Sequence, residues 1–382
     1  MPRIKPIINK EDIAPQDYPL FDELAALRGR ISGPSTIVLH SPGLAKPWNE
    51  ISEYLHRDSI VQPEHAELAV SATAREKDCH YVWAAHVPTA LKAGVKPESI
   101  TAVRERTPLD GLPPAEADAV SYVRELLQTN RVEKGLFDRL LQAHGVQWLV
   151  ELTGWIGRYA ALAGVLNSFE VFPDRPDADP LPIDPSKTVT PKGGNVSLPA
   201  GPRVTPITSK EQVPPEAEAA FDAVAEGRGS VRGPFSIMMY SPTFCHRVLD
   251  VGTYLRFHSK LKPDLTELAT IATAREKDCP YVYAAHAPAA RKAGASEDAI
   301  TAVRDRGSLA SLPQSERDVI DYVRQLLRTN RVSQDLFDRL NKEYGTAWLV
   351  ELTCLVGHYG VITAILNAFE VAPAAEAEQL PL

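Results

Sequence analysis

The chain has little cysteine, no excess of basic charge and no long uninterrupted apolar run, and each shortage excludes a class of protein. Four cysteines in 382 residues (Cys79, Cys245, Cys279 and Cys354) do not make a disulfide framework, and they read as free thiols of a reducing compartment. A formal charge of −8 with a pI near 5.7 argues against nucleic acid or an anionic membrane surface as partner, since either needs a basic stripe. The N-terminal stretch is punctuated by Pro2, Pro6, Pro15 and Pro19 and lacks the apolar core of a secretory leader, which predicts a cytoplasmic protein. The most apolar segment, Trp148 to Phe169, is interrupted by Glu151 and Arg158, and its counterpart by Glu351 and His358. Buried core helices are expected there rather than membrane spans. Metal-ligand spacings such as His-x-His, His-Glu-x-x-His and Cys-x-x-Cys are missing, as is a glycine-rich phosphate loop, so no metal and no cofactor are expected.

What the chain does have is a long internal repeat. Residues Glu67 to His86 (ELAVSATAREKDCHYVWAAH) return as Glu267 to His286 (ELATIATAREKDCPYVYAAH), an offset of 200. The offset holds without insertion from Phe21 and Phe221 to Glu170 and Glu370, and between Pro63–Gly94 and Pro263–Gly294, 22 of 32 positions are identical. That period is far beyond the 20–50 residues of solenoid repeats. A duplicated domain follows: a first domain over 1–172, a Pro- and Gly-rich linker over 173–204, expected to be extended, and a second domain over 205–382, paired as a fused pseudo-dimer.

Within each copy the apolar spacing is helical. Leu68, Ser71, Ala72 and Arg75 lead to a turn at Lys77-Asp78, and Tyr81, Ala84, Ala85, Pro88 and Leu91 lead to Gly94; both runs fit helices. Further helices are expected at Ile100–Glu105, from Pro113-Pro114 to Leu127, from Glu133 to His144, and from Gln147 to about Glu170. The brief apolar run at Ser35 to Leu39 reads as loop or helix. The fold class is all-α, with about seven helices per copy.

Pro280 directly follows Cys279, and proline favours the first helical position, so Cys279 and its counterpart Cys79 belong at a helix N-terminus. The positive end of the helix dipole there is expected to lower a thiol pKa. The alternative for each cysteine is a small buried residue in a helix–helix turn. His86 lies seven residues on, about 10.5 Å along the axis, a spacing that puts Cys79 out of its direct reach unless the helix start is distorted. The antiparallel preceding helix instead brings Glu67 level with His86. Such a Glu–His pair can orient the imidazole for proton transfer, or can be a satisfied core histidine. Glu151 and Glu351 are expected to pair with a core cation such as Arg75 or Arg275. His40, His80, Trp83 and Arg158, with Tyr240, Pro280, Tyr283 and His358 at the equivalent places and Cys245, His246 and His258 besides, are secondary candidates.

The pattern Glu-x11-Cys-x6-His, followed by Pro88, Ala90 and Lys92-Ala-Gly94, with Arg28-Gly29, Gly33-Pro34 and Leu39-His40-Ser41-Pro42 upstream, resembles the carboxymuconolactone decarboxylase family, which includes the alkylhydroperoxidase D-like proteins. The resemblance covers Leu20 to Glu170 and Ala220 to Glu370. It implies paired helices, pockets at or near subunit contacts, and trimers or hexamers, so that three tandem chains would form a pseudo-hexamer. It implies as catalytic residues Glu67, Cys79 and His86, and Glu267, Cys279 and His286. The peroxidase branch uses a second cysteine three residues after the first, and here Val82 and Val282 occupy that place. Without a resolving thiol an intramolecular disulfide cycle cannot run. Decarboxylase-like relatives often carry Glu at the same place, so this branch too is incompletely matched. The expected function is a lyase-type proton transfer on a small organic acid or lactone. A one-cysteine peroxidase using an external thiol and a non-catalytic ligand-binding scaffold are the alternatives.

Overall fold

The computed structural model describes residues 2–173, 180–183 and 201–382. The first repeat forms α1 (Tyr18–Arg28), α2 (Ser35–Val38), α3 (Pro42–Arg57), α4 (Pro63–Glu76), α5 (His80–Lys92), α6 (Pro97–Glu105), α7 (Pro114–Gln128), α8 (Lys134–His144) and α9 (Val146–Ser168). The second forms α10 (Glu218–Arg228), α11 (Pro234–Met238), α12 (Pro242–Phe257), α13 (Pro263–Glu276), α14 (Pro280–Ala293), α15 (Glu297–Arg304), α16 (Gln314–Thr329), α17 (Gln334–Tyr344) and α18 (Thr346–Ala368). Short 3₁₀ turns precede α1 and α10, and the described residues contain no strand. The all-α class holds, with nine α-helices per repeat among the described residues rather than about seven. Six of them stand where the apolar spacing placed them, the run at Ser35–Val38 is a one-turn helix, and α1 and α3 are additions, all three upstream of the periodic stretch.

Proline sets many of the helix starts. Helices α3, α4, α6, α7, α12, α13 and α14 all carry it in their first two positions, where its missing N–H would have had no partner anyway. The α4–α5 turn closes with Asp78 at φ 46° and its counterpart with Asp278 at φ 45°, a left-handed conformation that aspartate tolerates better than most residues. Helix α4 is buried on all sides from Ala66 to Glu76, which places it at the centre of its repeat.

The repeats pack as a pseudo-symmetric pair about α9 and α18. A Cβ on Gly157 would stand 3.0 Å from the Val361 Cα, and one on Gly357 2.7 Å from the Ala161 Cβ, so glycine at each crossing permits the close approach of the helices. Both crossing helices are wrapped by contacts that run reciprocally. Phe137 meets Phe369 edge to face at 5.2 Å, and Phe169 meets Phe337 at 5.3 Å. Arg331 donates to the Asp78 carbonyl and Arg131 to the Asp278 carbonyl. Thr346–Ala368 is long and apolar enough to cross a membrane by length and composition, yet 89% of its most apolar window is buried inside the protein; it is the core helix that Glu351 and His358 suggested.

The linker expected over 173–204 lies largely outside the described residues. Its described residues 180–183 lie on the first repeat, where Arg75 and Arg104 donate to the Pro182 and Pro180 carbonyls. At its far end, Arg203 bonds the Phe369 carbonyl and pairs with Glu370 at 2.6 Å, as Arg3 does with Phe169 and Glu170.

Candidate functional site

Glu67, on the second turn of α4, and His86, midway along α5, meet across the helix hairpin, with His86 Nδ1 2.8 Å from Glu67 Oε2. In the second repeat His286 Nδ1 is 2.6 Å from Glu267 Oε2. A carboxylate only accepts, so Nδ1 carries a proton and Nε2 is the ring nitrogen left to exchange a proton with a substrate. Tyr359 Oη lies 3.3 Å from His286 Nε2, and its ring stands edge to face with the imidazole at 5.1 Å. Tyr159 stacks on His86 in the same way at 4.8 Å, and its hydroxyl is 2.8 Å from His56 Nε2.

Both imidazoles border open space. A cavity of about 300 Å³ beside His86 is lined by Asn49, Glu53, His56, Arg57 and Tyr159, and one of about 270 Å³ beside His286 by Arg228, Arg232, Arg256, Tyr281, His358 and Tyr359. In the first, Arg57 pairs with Glu53 at 2.5 Å. The second has three guanidinium groups and no carboxylate in its lining; Glu267, behind His286, is 3.8 Å from Arg256. Arg228 keeps a buried Nη1 without a hydrogen-bond partner among the described residues, and burial together with Arg256 lowers its pKa. Burial, Arg228, Arg256 and His286 together push His358 down to about 3, so its imidazole is neutral.

Part of the difference between the cavities is an exchange of two residues, alongside Arg232 in place of Ser32 and Thr253 and Phe257 in place of Glu53 and Arg57. Positions 56 and 158 hold His and Arg, and the equivalents 256 and 358 hold Arg and His. In the first repeat the guanidinium of Arg158 is drawn into the core, with Nε 2.8 Å from Ser52 Oγ and the group 4.4 Å over the Trp48 ring. In the second the arginine is at Arg256, in the cavity wall.

The cysteines depart from expectation. Cys79 and Cys279 cap α5 and α14 as their spacing required, but both thiols are buried and neither lines the cavity beside its histidine. Burial pushes each up to about 11, outweighing the backbone N–H groups at the helix start that favour the thiolate. The expected low pKa is therefore overturned: desolvation exceeds the helix-end field.

Glu151 and Glu351 also find other partners. Arg75 and Arg275 are held by Asp78 and Asp278 in their own turns. The fully buried Glu151 accepts from Tyr54, Ser59, the Ile60 N–H, Gln147 and Ser241, and Glu351 from Ser41, Tyr254 and the Lys260 N–H. Ser241 and Ser41 belong to the opposite repeat. Among the secondary candidates only His358 lines either cavity. His40 and Tyr240 bond the Lys5 and Thr205 carbonyls, His80 meets the Leu181 N–H, and Tyr283 bonds Glu378. Tyr159, Tyr359, His56, Arg228, Arg232 and Arg256 escaped the sequence reading, and the His/Arg exchange between equivalent positions was the available signal.

A duplicated all-helical protein with a carboxylate-oriented histidine at the mouth of a cavity in each half is the class that these features define. The model of the carboxymuconolactone decarboxylase family matches twice, over residues 42–125 and 242–324, from α3 and α12 to within α7 and α16. Each repeat therefore contains a stretch similar to this family, so the match is in tandem. No curated protein is significantly similar to it.

Proposed function

We propose that the chain is a lyase-type enzyme acting on small anionic organic acids or lactones, with His286 and His86 as proton-transfer residues and Glu267 and Glu67 orienting them. The observation that carries this reading is the His286 cavity, where a carboxylate-paired imidazole faces three arginines with no acid in the wall. In a decarboxylation the C–C bond to the carboxylate breaks, CO₂ leaves, and the electron pair stays on the substrate as an enolate. The imidazolium Nε2 then delivers a proton to the carbon, and solvent restores the proton to the ring. Arg228, Arg232 and Arg256 would hold the substrate carboxylate and the enolate oxygen, a role for fixed cations in a partly water-excluded site. The His86 cavity, with Glu53 against Arg57, would take a less charged compound.

A thiol peroxidase is disfavoured by the burial of Cys79 and Cys279 and by valine at the resolving position. A closed, dry space between Glu67 and His86 would favour a scaffold role; the two side chains are in direct contact at 2.8 Å. The trimer of tandem chains is part of this proposal, and light scattering that gives a single chain would remove it.

The test is CO₂ release from a panel of small β-keto acids and carboxylated lactones. Wild-type protein is expected to turn over at least one, and His286→Ala with His86→Ala to abolish turnover while helicity is kept. Unchanged turnover in that double variant, or no turnover of any panel member by the wild type, rejects the reading.

A further inference from the structure

Lys77 and Lys277, at the ends of α4 and α13, reach the pseudo-dyad from opposite repeats and line one cavity there. Burial pushes Lys77 down; burial and the neighbouring Lys77 push Lys277 well below the usual lysine range. The charged groups next to them are all committed elsewhere. Glu76 bonds Gln128 and faces Arg106, Glu276 pairs with Arg328, and Asp78 and Asp278 hold Arg75 and Arg275.

Both lysines line a cavity of about 50 Å³ between α9 and α18 that has no carboxylate in its wall. Polar side chains shape it from both repeats. Asn167 and Asn367 donate to the Lys77 and Lys277 carbonyls at 2.8 Å, and Asn130 and Asn330 donate to the Glu276 and Glu76 carbonyls. These bonds pin the helix ends that carry the amines. Gly157 and Gly357 open the floor. Space for a few non-hydrogen atoms, one buried amine from each repeat in the wall and no carboxylate lining it describe a receptor for a small anion.

We propose that this dyad cavity binds a small monoanion of formate size between the Lys77 and Lys277 ammonium groups. The anion supplies the missing counter-charge, so its binding raises both lysine pKa values and takes up protons at neutral pH. The site is separate from the histidine cavities and does not depend on the lyase reading.

The probe is sodium formate, titrated at constant ionic strength against a bulky organic sulfonate. Lysine side-chain NMR is expected to give saturable shifts at Lys77 and Lys277, and calorimetry in buffers of different ionisation enthalpy to give net proton uptake. Lys77→Met and Lys277→Met should each weaken binding at least tenfold, and Lys96→Met, at an exposed lysine, should leave it unchanged. If the methionine variants fail to fold, a bromide soak of wild-type crystals decides, with an anomalous peak between the two lysines expected. A response that only follows ionic strength, an empty dyad in the bromide map, or saturable binding that survives both methionine changes and is lost in Arg256→His overturns the proposal.

Discussion

The Ser241 hydroxyl of the second repeat donates to the Glu151 carboxyl of the first at 2.9 Å. Ser41 does the same to Glu351 at 2.7 Å, so each repeat completes the hydrogen-bonding shell of the other's most buried acid. A buried acid saturated by donors costs little to keep and a great deal to break, because every donor is stranded when it goes. Glu151→Ala is expected to destabilise the protein by about 3–5 kcal/mol in urea unfolding. Ser241→Ala should cost about 1–2 kcal/mol. A Glu151→Ala cost below about 1 kcal/mol would mean that water replaces the lost acceptor.

Cys79 and Cys279, pushed up to about 11 by burial, are neutral thiols at physiological pH. Labelling with a disulfide reagent at pH 7.5 should be slower for native protein than for free cysteine, with all four thiols reacting after unfolding. Cys79→Ser with Cys279→Ser should leave turnover within about twofold, since the lyase reading gives these thiols no step. Fast labelling of the native chain would reinstate the thiol chemistry.

Arg256 and His358 stand where the first repeat has His56 and Arg158. Exchanging them, as Arg256→His with His358→Arg, should withdraw one guanidinium from the His286 cavity. The expected result is a KM for an anionic substrate raised about tenfold or more, with kcat less affected, because a fixed cation holds charge in both ground and transition states. An unchanged KM would show that Arg256 does not touch the substrate.

His358 has its pKa depressed to about 3 from 6.5, with Arg228, Arg256 and His286 facing it. The unfolded chain therefore binds more protons than the folded one between those values, so stability rises with pH through this window and is fully present above it. Acidification from pH 6.5 to 4 should cost the wild type up to roughly 3 kcal/mol through this residue. His358→Asn should flatten that part of the profile in denaturant unfolding at stepped pH. An equal slope in both proteins would assign the acid sensitivity to other groups.

The Glu67–His86 contact was legible in the sequence because it joins neighbouring antiparallel helices, where spacing along two short segments decides which residues are level. The cap position of Cys79 was legible from Pro280 for the same local reason. What failed was everything decided across the dyad. Glu151 finds Ser241, Lys77 shares a cavity with Lys277, and no local pattern announces a partner in the other repeat. The acidity of the thiols failed differently: the helix-end field is local and could be foreseen, but the burial that overrides it is tertiary.

Joining α9 and α18 in one polypeptide makes their pairing intramolecular. Association of the two halves carries no dilution penalty, since the linker sets a fixed effective concentration in place of a dissociation constant. Covalent fusion also breaks a constraint of symmetric homodimers, in which every substitution is made twice. An arginine can enter one cavity while the other keeps histidine, and a single chain can hold two different specificities on one scaffold.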